Sequence, residues 1–168
     1  MSKPNCIGFP PSIDAACITL VLGSMPGISS LQAQQYYAHP QNRFWPLMAR
    51  LLENSEAVPQ VYTDRLALLL RHHIALWDSI DTCERSGSLD TAIHDETPND
   101  FAAFFDAHPA IRTVCFNGAK SAQAFKKYNK PLLTRPGIAF HALPSTSPAN
   151  ARWRLADLAE AWGKVIRP

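Results

Sequence analysis

The sequence predicts an α/β protein: a three-layer α/β/α sandwich around a central four-stranded, mostly parallel sheet. Three observations predict it. Four short apolar runs recur along the chain, helical patterns separate them, and small or polar residues follow each run directly. A length of 168 residues with 46% hydrophobic and 18% charged side chains suits one domain spanning residues 1–168.

The first strand is predicted at residues 18–22, and it leads into a tight loop at residues 23–27. Ser29 and Gln32 have the spacing of a capping box, so a helix is expected to begin there and to run through Tyr36. That helix should end before Pro40.

Proline favours the first position of a helix, so Pro46 predicts the next helix from about Trp45. Asn42 is then expected in the loop ahead of it. The remaining elements follow in alternation: helix 63–71, strand 74–77, helix 99–107, strand 113–116, helix 119–128, strand 138–143 and helix 149–165.

Ligands of open α/β sheets bind outside the carboxyl ends of the strands. The segments that follow the predicted strands are residues 23–27, 78–79, 117–118 and 144–148. We therefore expect these four loops to converge on one cleft.

Charge is distributed unevenly along the chain, although the formal net charge is only +2. Residues 72–106 carry eight acids and one base, whereas residues 107–156 carry eight bases and no acid. The basic stretch suits phosphate binding. A solvated basic face that pairs with the acidic segment is the alternative.

Other classes of protein are disfavoured by the sequence. Four scattered cysteines without a C-x-x-C pair match neither a zinc ribbon nor an iron–sulfur cluster. No apolar run is long enough to span a membrane, and the first residues lack the pattern of a secretory signal. We expect a cytoplasmic, nucleoid-associated monomer without metal or cofactor.

Three motifs in order carry a family resemblance. They are residues 23–31 (GSMPGISSL), 36–45 (YYAHPQNRFW) and 143–150 (LPSTSPAN), with ALWDS at 75–79 and FNG at 116–118 between them. With these motifs the chain resembles the uracil-DNA glycosylase superfamily, and most closely its hypoxanthine-DNA glycosylase branch. Residues 42–45 are also similar to a segment of the mismatch-specific uracil glycosylases. The resemblance implies a DNA glycosylase acting on DNA with deaminated bases.

The chain departs from the family pattern at two places. Met25 stands where many relatives have an Asp or Asn that orients the attacking water, and a thioether cannot polarise water. Leu143 stands in the stretch where many relatives carry a His that stabilises the departing base. Other side chains must therefore fill these roles.

Hydrolysis of an N-glycosidic bond in DNA needs a positioned water and donors for the departing base. The candidate catalytic residues are Asn42, His39 and Ser24, with the Asn42 amide oxygen accepting a hydrogen bond from the water. A turn or helix cap is the alternative for Asn42, and a loop histidine bonded to backbone is the alternative for His39.

The extruded base also needs a pocket that stacks on it and reads its edge. Phe44 is the candidate for stacking, with Tyr37 beside it, although Phe44 also suits an apolar core. Asp78 can accept from a base N–H, or it can cap a helix or form a salt bridge. Backbone amides of Gly23 to Met25 can donate to a base carbonyl, because small residues allow close approach.

The phosphate site is expected in the last motif, at the start of the predicted final helix. The candidate DNA-binding residues are Ser145, Thr146, Ser147, Asn150, Arg152 and Lys120. Plain helix capping by Ser147 and a solvated Lys120 are the alternatives.

We expect a monofunctional glycosylase, because no lysine stands at a motif position suited to Schiff-base chemistry. Hypoxanthine is favoured through the resemblance alone, with uracil or xanthine, or a uracil/mismatch-specific activity, as alternatives. A catalytically inactive nucleic-acid-binding module is a further alternative, motivated by Met25. A hydrolase triad of Ser24, a histidine and Asp78 is weaker, since no G-x-S-x-G elbow is present.

Overall fold

The computed structural model describes residues 4–168 of the chain. The strands within this range are β1 (Cys6–Ile7), β2 (Thr19–Gly23), β3 (Ile74–Asp78), β4 (Ile80–Glu84), β5 (His94–Pro98), β6 (Thr113–Asn117) and β7 (Ala139–Leu143). The helices are α1 (Ile28–Ala33), α2 (Phe44–Glu53), α3 (Tyr62–Arg71), α4 (Phe101–Ala107), α5 (Ala119–Asn129) and α6 (Leu155–Trp162). Short 3₁₀ turns lie at Asp90–Ala92 and Lys130–Thr134.

The central sheet has four strands in the order β3-β2-β6-β7, and all of its pairs are parallel. Helices cover both faces because alternate residues of each strand point to opposite sides. On one face Val21 and Leu76 pack with side chains of α2, α3 and α6. On the other face Leu22 and Phe116 pack with phenylalanines of α4 and α5. The predicted three-layer α/β/α fold is confirmed.

A second sheet, with antiparallel order β1-β4-β5, was not expected from the sequence. Its strands lack the apolar alternation that marks a strand, because β5 is largely exposed and β1 is only two residues long. Ile80, Cys83 and Ile93 of this region pack against Met25. The acidic segment therefore supplies two of the three strands of a small sheet beside the first loop of the main one.

The first helix is shorter than predicted. It begins at Ile28 with Gly27 as its N-cap, so Ser29 caps nothing. It ends at Ala33, and Gln34 then takes a left-handed conformation with φ of 53°. Residues 35–43 consequently form turns and irregular chain rather than helix.

Two helix starts also differ from the prediction. Helix α2 begins at Phe44, which places Pro46 at its third position instead of its first. Helix α6 begins at Leu155 rather than near 149. The Ser145 and Ser147 hydroxyls accept hydrogen bonds from backbone N–H groups two residues ahead, and such local turns compete with helix.

Candidate active site

A cavity of about 820 Å³ opens at the carboxyl ends of β2, β3, β6 and β7. All four loops predicted to converge contribute to its wall. The predicted site residues that line it are Gly23, Ser24, Met25, Tyr37, His39, Asn42, Asp78, Ser145, Thr146, Ser147 and Asn150. Phe44, Lys120 and Arg152 lie outside this lining.

The floor of the cavity is built by Gly23, Asp78 and Tyr37. Residues Gly23 and Asp78 are paired neighbours at the ends of adjacent parallel strands. A Cβ on Gly23 would lie 2.5 Å from Asp78 Oδ1 and 3.2 Å from the Tyr37 hydroxyl oxygen, so only glycine leaves room for both groups. Neither Asp78 Oδ2 nor the Tyr37 hydroxyl, both buried, has a hydrogen-bond partner within residues 4–168.

Asp78 is only 3% exposed, and its carboxyl group keeps its proton to a higher pH than an ordinary aspartate does. Burial, and next the nearby charge of Asp90, raise the pKa of Asp78 to about 7, against a smaller opposing effect of Arg85. Burial, followed by the Asp78 charge, also raises the pKa of Tyr37, so its hydroxyl keeps its proton and remains a donor. Within residues 4–168, the Asp78 side chain neither caps a helix nor forms a salt bridge, so both alternatives for this residue are wrong.

Tyr37 supplies the aromatic wall, and Phe44 supports it from behind. Their ring centroids lie 4.1 Å apart in a stacked arrangement. Phe44 itself is fully buried and packs against Trp45 and Trp162, so its predicted contact with the base is wrong. The core alternative for Phe44 is the correct one, because it heads the apolar face of α2.

Asn42 is held by a chain of side-chain hydrogen bonds. Its Oδ1 accepts from Phe44 N and from Thr146 Oγ1, both at 2.9 Å. Thr146 Oγ1 in turn accepts from Asn117 Nδ2 at 3.0 Å, and Asn117 Oδ1 accepts from Thr146 N. Both lone pairs of the Asn42 oxygen are thus in use, so the prediction that this oxygen accepts from the water is wrong, and the bond from Phe44 N is the local turn of the alternative. The amide nitrogen is the group left to serve the cavity.

The same contacts correct the expectation for Thr146. This residue is fully buried, and its hydroxyl and backbone groups bond to other parts of the protein. It therefore ties the last loop to Asn42 and Asn117 instead of contacting DNA. The sequence analysis did not name Asn117 as a site residue. Its place as a polar residue at the carboxyl end of a predicted strand could have identified it.

Arg43 is a second residue that the sequence analysis missed. Its guanidinium donates to the carbonyl oxygens of Thr146 (3.3 Å), Ser147 (2.6 Å) and Asn150 (3.1 Å), and its backbone N–H donates to Thr146 O. Arginine alone among side chains has enough forked donors for such a set. The loop after β7 is therefore fixed by the residue next to Asn42.

The predicted anion site at a helix start is wrong in its geometry, since Ser145 and Ser147 precede α6 by several turn residues. Their hydroxyls still line the cavity, as does Asn150, whose Nδ2 donates to Ser145 O. Arg152 is exposed beside the cavity. Its neighbour Trp153, 37% exposed, lines the mouth and was not predicted.

Part of the basic half pairs with the acidic segment, as the alternative reading proposed. Lys120 Nζ lies 3.7 Å from Glu96 Oε1, and Lys127 Nζ lies 3.4 Å from the same oxygen. Arg135 bonds to Asp106 at 2.8 Å. Lys120 is consequently an ion-pair partner outside the cavity, and its predicted phosphate contact is not supported.

The remaining predicted catalytic side chains, His39 and Ser24, both line the cavity. His39 is exposed at the mouth, where its Nδ1 accepts from Gln41 N, as the loop alternative expected. Ser24 Oγ donates to Asp90 Oδ1 at 2.6 Å. No histidine within the described range bonds to Ser24, so the hydrolase triad is not formed. Met25 is buried against the small antiparallel sheet.

Asp90 belongs to a segment of the cavity wall that the sequence analysis did not predict. Residues Ser88 to Thr91, between β4 and β5, line the cavity, and Ser88 Oγ accepts from Ile28 N. The sequence analysis treated this acidic stretch only as a surface that repels phosphate. Antiparallel pairing of β4 with β5 is what turns it back over the cavity.

Two observations bear on metals and membranes. Glu84, His94 and Asp95 of the small sheet lie close enough together to share a metal ion, and His94 Nδ1 is within 3.6 Å of both carboxylates. Glu84 is half-buried, and all three residues lie outside the cavity. In the described part of the chain, no helix is both long and apolar enough to cross a bilayer.

Comparisons with known proteins extend over nearly the whole chain. The uracil DNA glycosylase superfamily matches residues 10–166. Two proteins named hypoxanthine DNA glycosylase, from Methanosarcina barkeri and Methanosarcina acetivorans, are each 37% identical over 161 residues, covering 95% of this chain and 97% of theirs. The solution NMR structure of a Methanosarcina acetivorans protein, provisionally named a uracil DNA glycosylase, has 36% identity and a TM-score of 0.79, and covers 95% of this chain and 94% of its own.

The match runs from the residues before β2 to the end of α6, and it includes every loop that lines the cavity. The resemblance of the three sequence motifs and the predicted fold agree with it. The chain belongs to the uracil DNA glycosylase superfamily, and the expected enzyme class, a DNA glycosylase, is thereby confirmed.

Proposed function

We propose that this protein is a monofunctional glycosylase that removes hypoxanthine from DNA by hydrolysis, with uracil and xanthine as weaker substrates, and that it acts as a monomer. The observation that carries the proposal is the cavity at the strand ends, with an aromatic wall and a buried polar floor. Relatives named hypoxanthine DNA glycosylase at 37% identity support the choice of base.

The cavity suits an extruded nucleotide because it offers stacking at the side and polar groups at the end. The base stacks on the Tyr37 ring, whose far face rests on Phe44. Its polar edge then meets Asp78 and the Tyr37 hydroxyl, which are unpartnered within the described residues. A base that hydrogen-bonds to both groups removes the free-energy cost of leaving them buried without partners.

Asn42 positions the attacking water in this proposal. Because its oxygen is occupied, its Nδ2 donates to one lone pair of the water oxygen, and the other lone pair attacks C1′. The two hydrogen bonds to Oδ1 fix the plane of the amide, which keeps the water in place without reorganisation. Ser145, Ser147, Asn150 and Arg152 hold the DNA backbone around the extruded nucleotide.

Asn42→Ala should lower the single-turnover rate of base release at least about tenfold with little change in affinity for abasic DNA. Asn42→Asp tests which atom acts. A carboxylate cannot donate, so N42D should be as slow as N42A if the nitrogen holds the water. Cleavage by N42D at the wild-type rate would instead assign the water to an oxygen at this position.

The decisive experiment for the function is single-turnover release from matched duplexes that contain hypoxanthine, uracil, xanthine or a thymine mispair, with abasic sites revealed by alkali. Hypoxanthine should be released fastest. Faster release of uracil would reassign the preferred base. Salt-sensitive DNA binding without release of any base would identify a binding module that has lost water activation, the alternative raised by Met25.

A further inference from the structure

We infer that Asp78, as a neutral carboxylic acid, is the catalytic residue that donates a proton to the departing base. The inference rests on the proposed function and adds the residue that stabilises the leaving group. It begins from the position of the side chain: Asp78 ends β3, lines the cavity and is 3% exposed.

Asp78 lines the cavity, and its carboxyl group takes no hydrogen bond from the described part of the chain. Oδ1 packs over Gly23, and Oδ2 has no hydrogen-bond partner in the described chain. The side-chain amide of Asn99 donates to the Asp78 backbone carbonyl and not to its carboxyl group. A buried polar atom without a partner is costly, and a ligand in the cavity is what would satisfy it.

The surroundings favour the neutral form. The charged groups that act on Asp78 are Asp90, in the 3₁₀ turn after β4, and Arg85, at the end of β4. Tyr36 and Tyr37 after α1 and Tyr62 of α3 also face Asp78, and its charge raises their pKa values. Of these only Arg85 is cationic, and its guanidinium donates to the Pro26 carbonyl oxygen. Burial and the Asp90 charge outweigh Arg85 and raise the pKa of Asp78 to about 7.

The reaction needs a donor at this place. When the C1′–N bond breaks, its electron pair passes to the base, and an ionised Asp78 would repel the resulting charge in a site of low dielectric. The neutral acid instead gives its proton to a ring nitrogen or carbonyl oxygen of the base. Water adds to C1′, and the proton that it loses restores the Asp78 carboxyl through solvent.

Other donors in the cavity are less suited. The Ser24 hydroxyl already donates to Asp90, and His39 lies exposed at the mouth. The Tyr37 hydroxyl can donate a hydrogen bond, but burial holds its proton firmly by raising its pKa. Asp78 is thus the buried group in this cavity whose proton is released near neutral pH.

The test is the pH dependence of single-turnover hypoxanthine release in the wild type and in D78N, D78A and the control D81N. The wild-type rate should fall above about pH 7. D78N should be at least about tenfold slower, because an amide can hydrogen-bond but cannot give up a proton, and D78A slower by about 10²–10³. Both should lose the fall above that pH, whereas D81N, altered at an exposed carboxylate of the same region, should match the wild type.

Thermal unfolding and affinity for abasic duplex show whether each variant is folded. A folded D78N or D78A that keeps the wild-type rate, or that keeps the fall at high pH, overturns the inference and leaves the proposed function standing. A wild type that releases no base removes the proposed function itself.

Discussion

An enclosed carboxyl group such as Asp78 makes the stability of the fold depend on pH. Its pKa rises from 3.8 when the chain is unfolded to about 7 in the folded protein, chiefly because burial disfavours the charge. The folded state therefore binds the proton more tightly. The contribution of this group to stability is complete below about pH 4 and is lost as the pH rises through 7.

We predict that the unfolding free energy of the wild type falls between pH 4 and 8 by up to about 4 kcal/mol more than that of Asp78→Asn, which cannot ionise. Urea unfolding at both pH values measures the difference. Asp81→Asn serves as the control, because it removes an exposed carboxylate from the neighbouring strand β4. Parallel curves for wild type and D78N would show that Asp78 ionises normally in the folded protein.

At the scale of elements, the site depends on the junction between the start of α2 and the loop after β7. Asn42 and Arg43 precede α2, and their side chains reach Thr146 and its neighbours across about a hundred residues of sequence. Gly118 completes the junction at the end of β6. Its φ is +96°, and a Cβ there would lie 3.0 Å from Ser145 Cβ, so a side chain at this position would push the loop away.

Arg43→Lys should lower the unfolding free energy by about 1–3 kcal/mol and weaken binding to abasic DNA, because an ammonium group cannot make the three forked contacts. Urea unfolding measures the first consequence and the affinity for abasic duplex measures the second, while hydrogen exchange of residues 145–150 shows whether the loop has loosened. Arg50→Lys is the matched control, since Arg50 is exposed on α2, the helix that Arg43 precedes. Equal protection of the loop in both variants would contradict the role of Arg43.

At the scale of the whole molecule, fewer basic side chains of residues 107–156 are free to contact DNA than the charge of that segment suggests. Lys120, Lys127 and Arg135 neutralise Glu96 and Asp106 of the acidic segment. The exposed arginines beside the cavity mouth, Arg152 and Arg154, flank Trp153. DNA is therefore expected to approach from the side of the loop before α6.

Arg152→Gln should weaken binding to all duplex sequences alike and reduce the slope of log K against log salt concentration by about 1, as expected for the loss of one phosphate contact. Arg135→Gln removes the same charge from a residue paired with Asp106 and should leave the slope unchanged. Fluorescence anisotropy over a range of salt concentrations measures both. An equal effect of the two changes would mean that total charge, and not Arg152, sets the affinity.

The parallel sheet, its covering helices and the convergence of four loops could be predicted from the sequence, because they depend on local patterns. Apolar runs of strand length mark β2, β3, β6 and β7, and the carboxyl ends of parallel strands must share one edge. The small sheet was not predicted because its strands are short and polar and depend on pairing with strands elsewhere in the sequence. The start of α6 was misplaced because serine turns and a helix start look alike in sequence.

The sequence therefore determined which residues are candidates for the site, whereas the tertiary structure decided what each of them does. Phe44 belongs to the core, Thr146 to the hydrogen-bond chain and Lys120 to an ion pair, because each role depends on neighbours that are distant in sequence. The same holds for Asp78. Its residue type gives it a carboxyl group, but only enclosure beside Gly23, Tyr37 and Asp90 gives that group a proton near neutral pH.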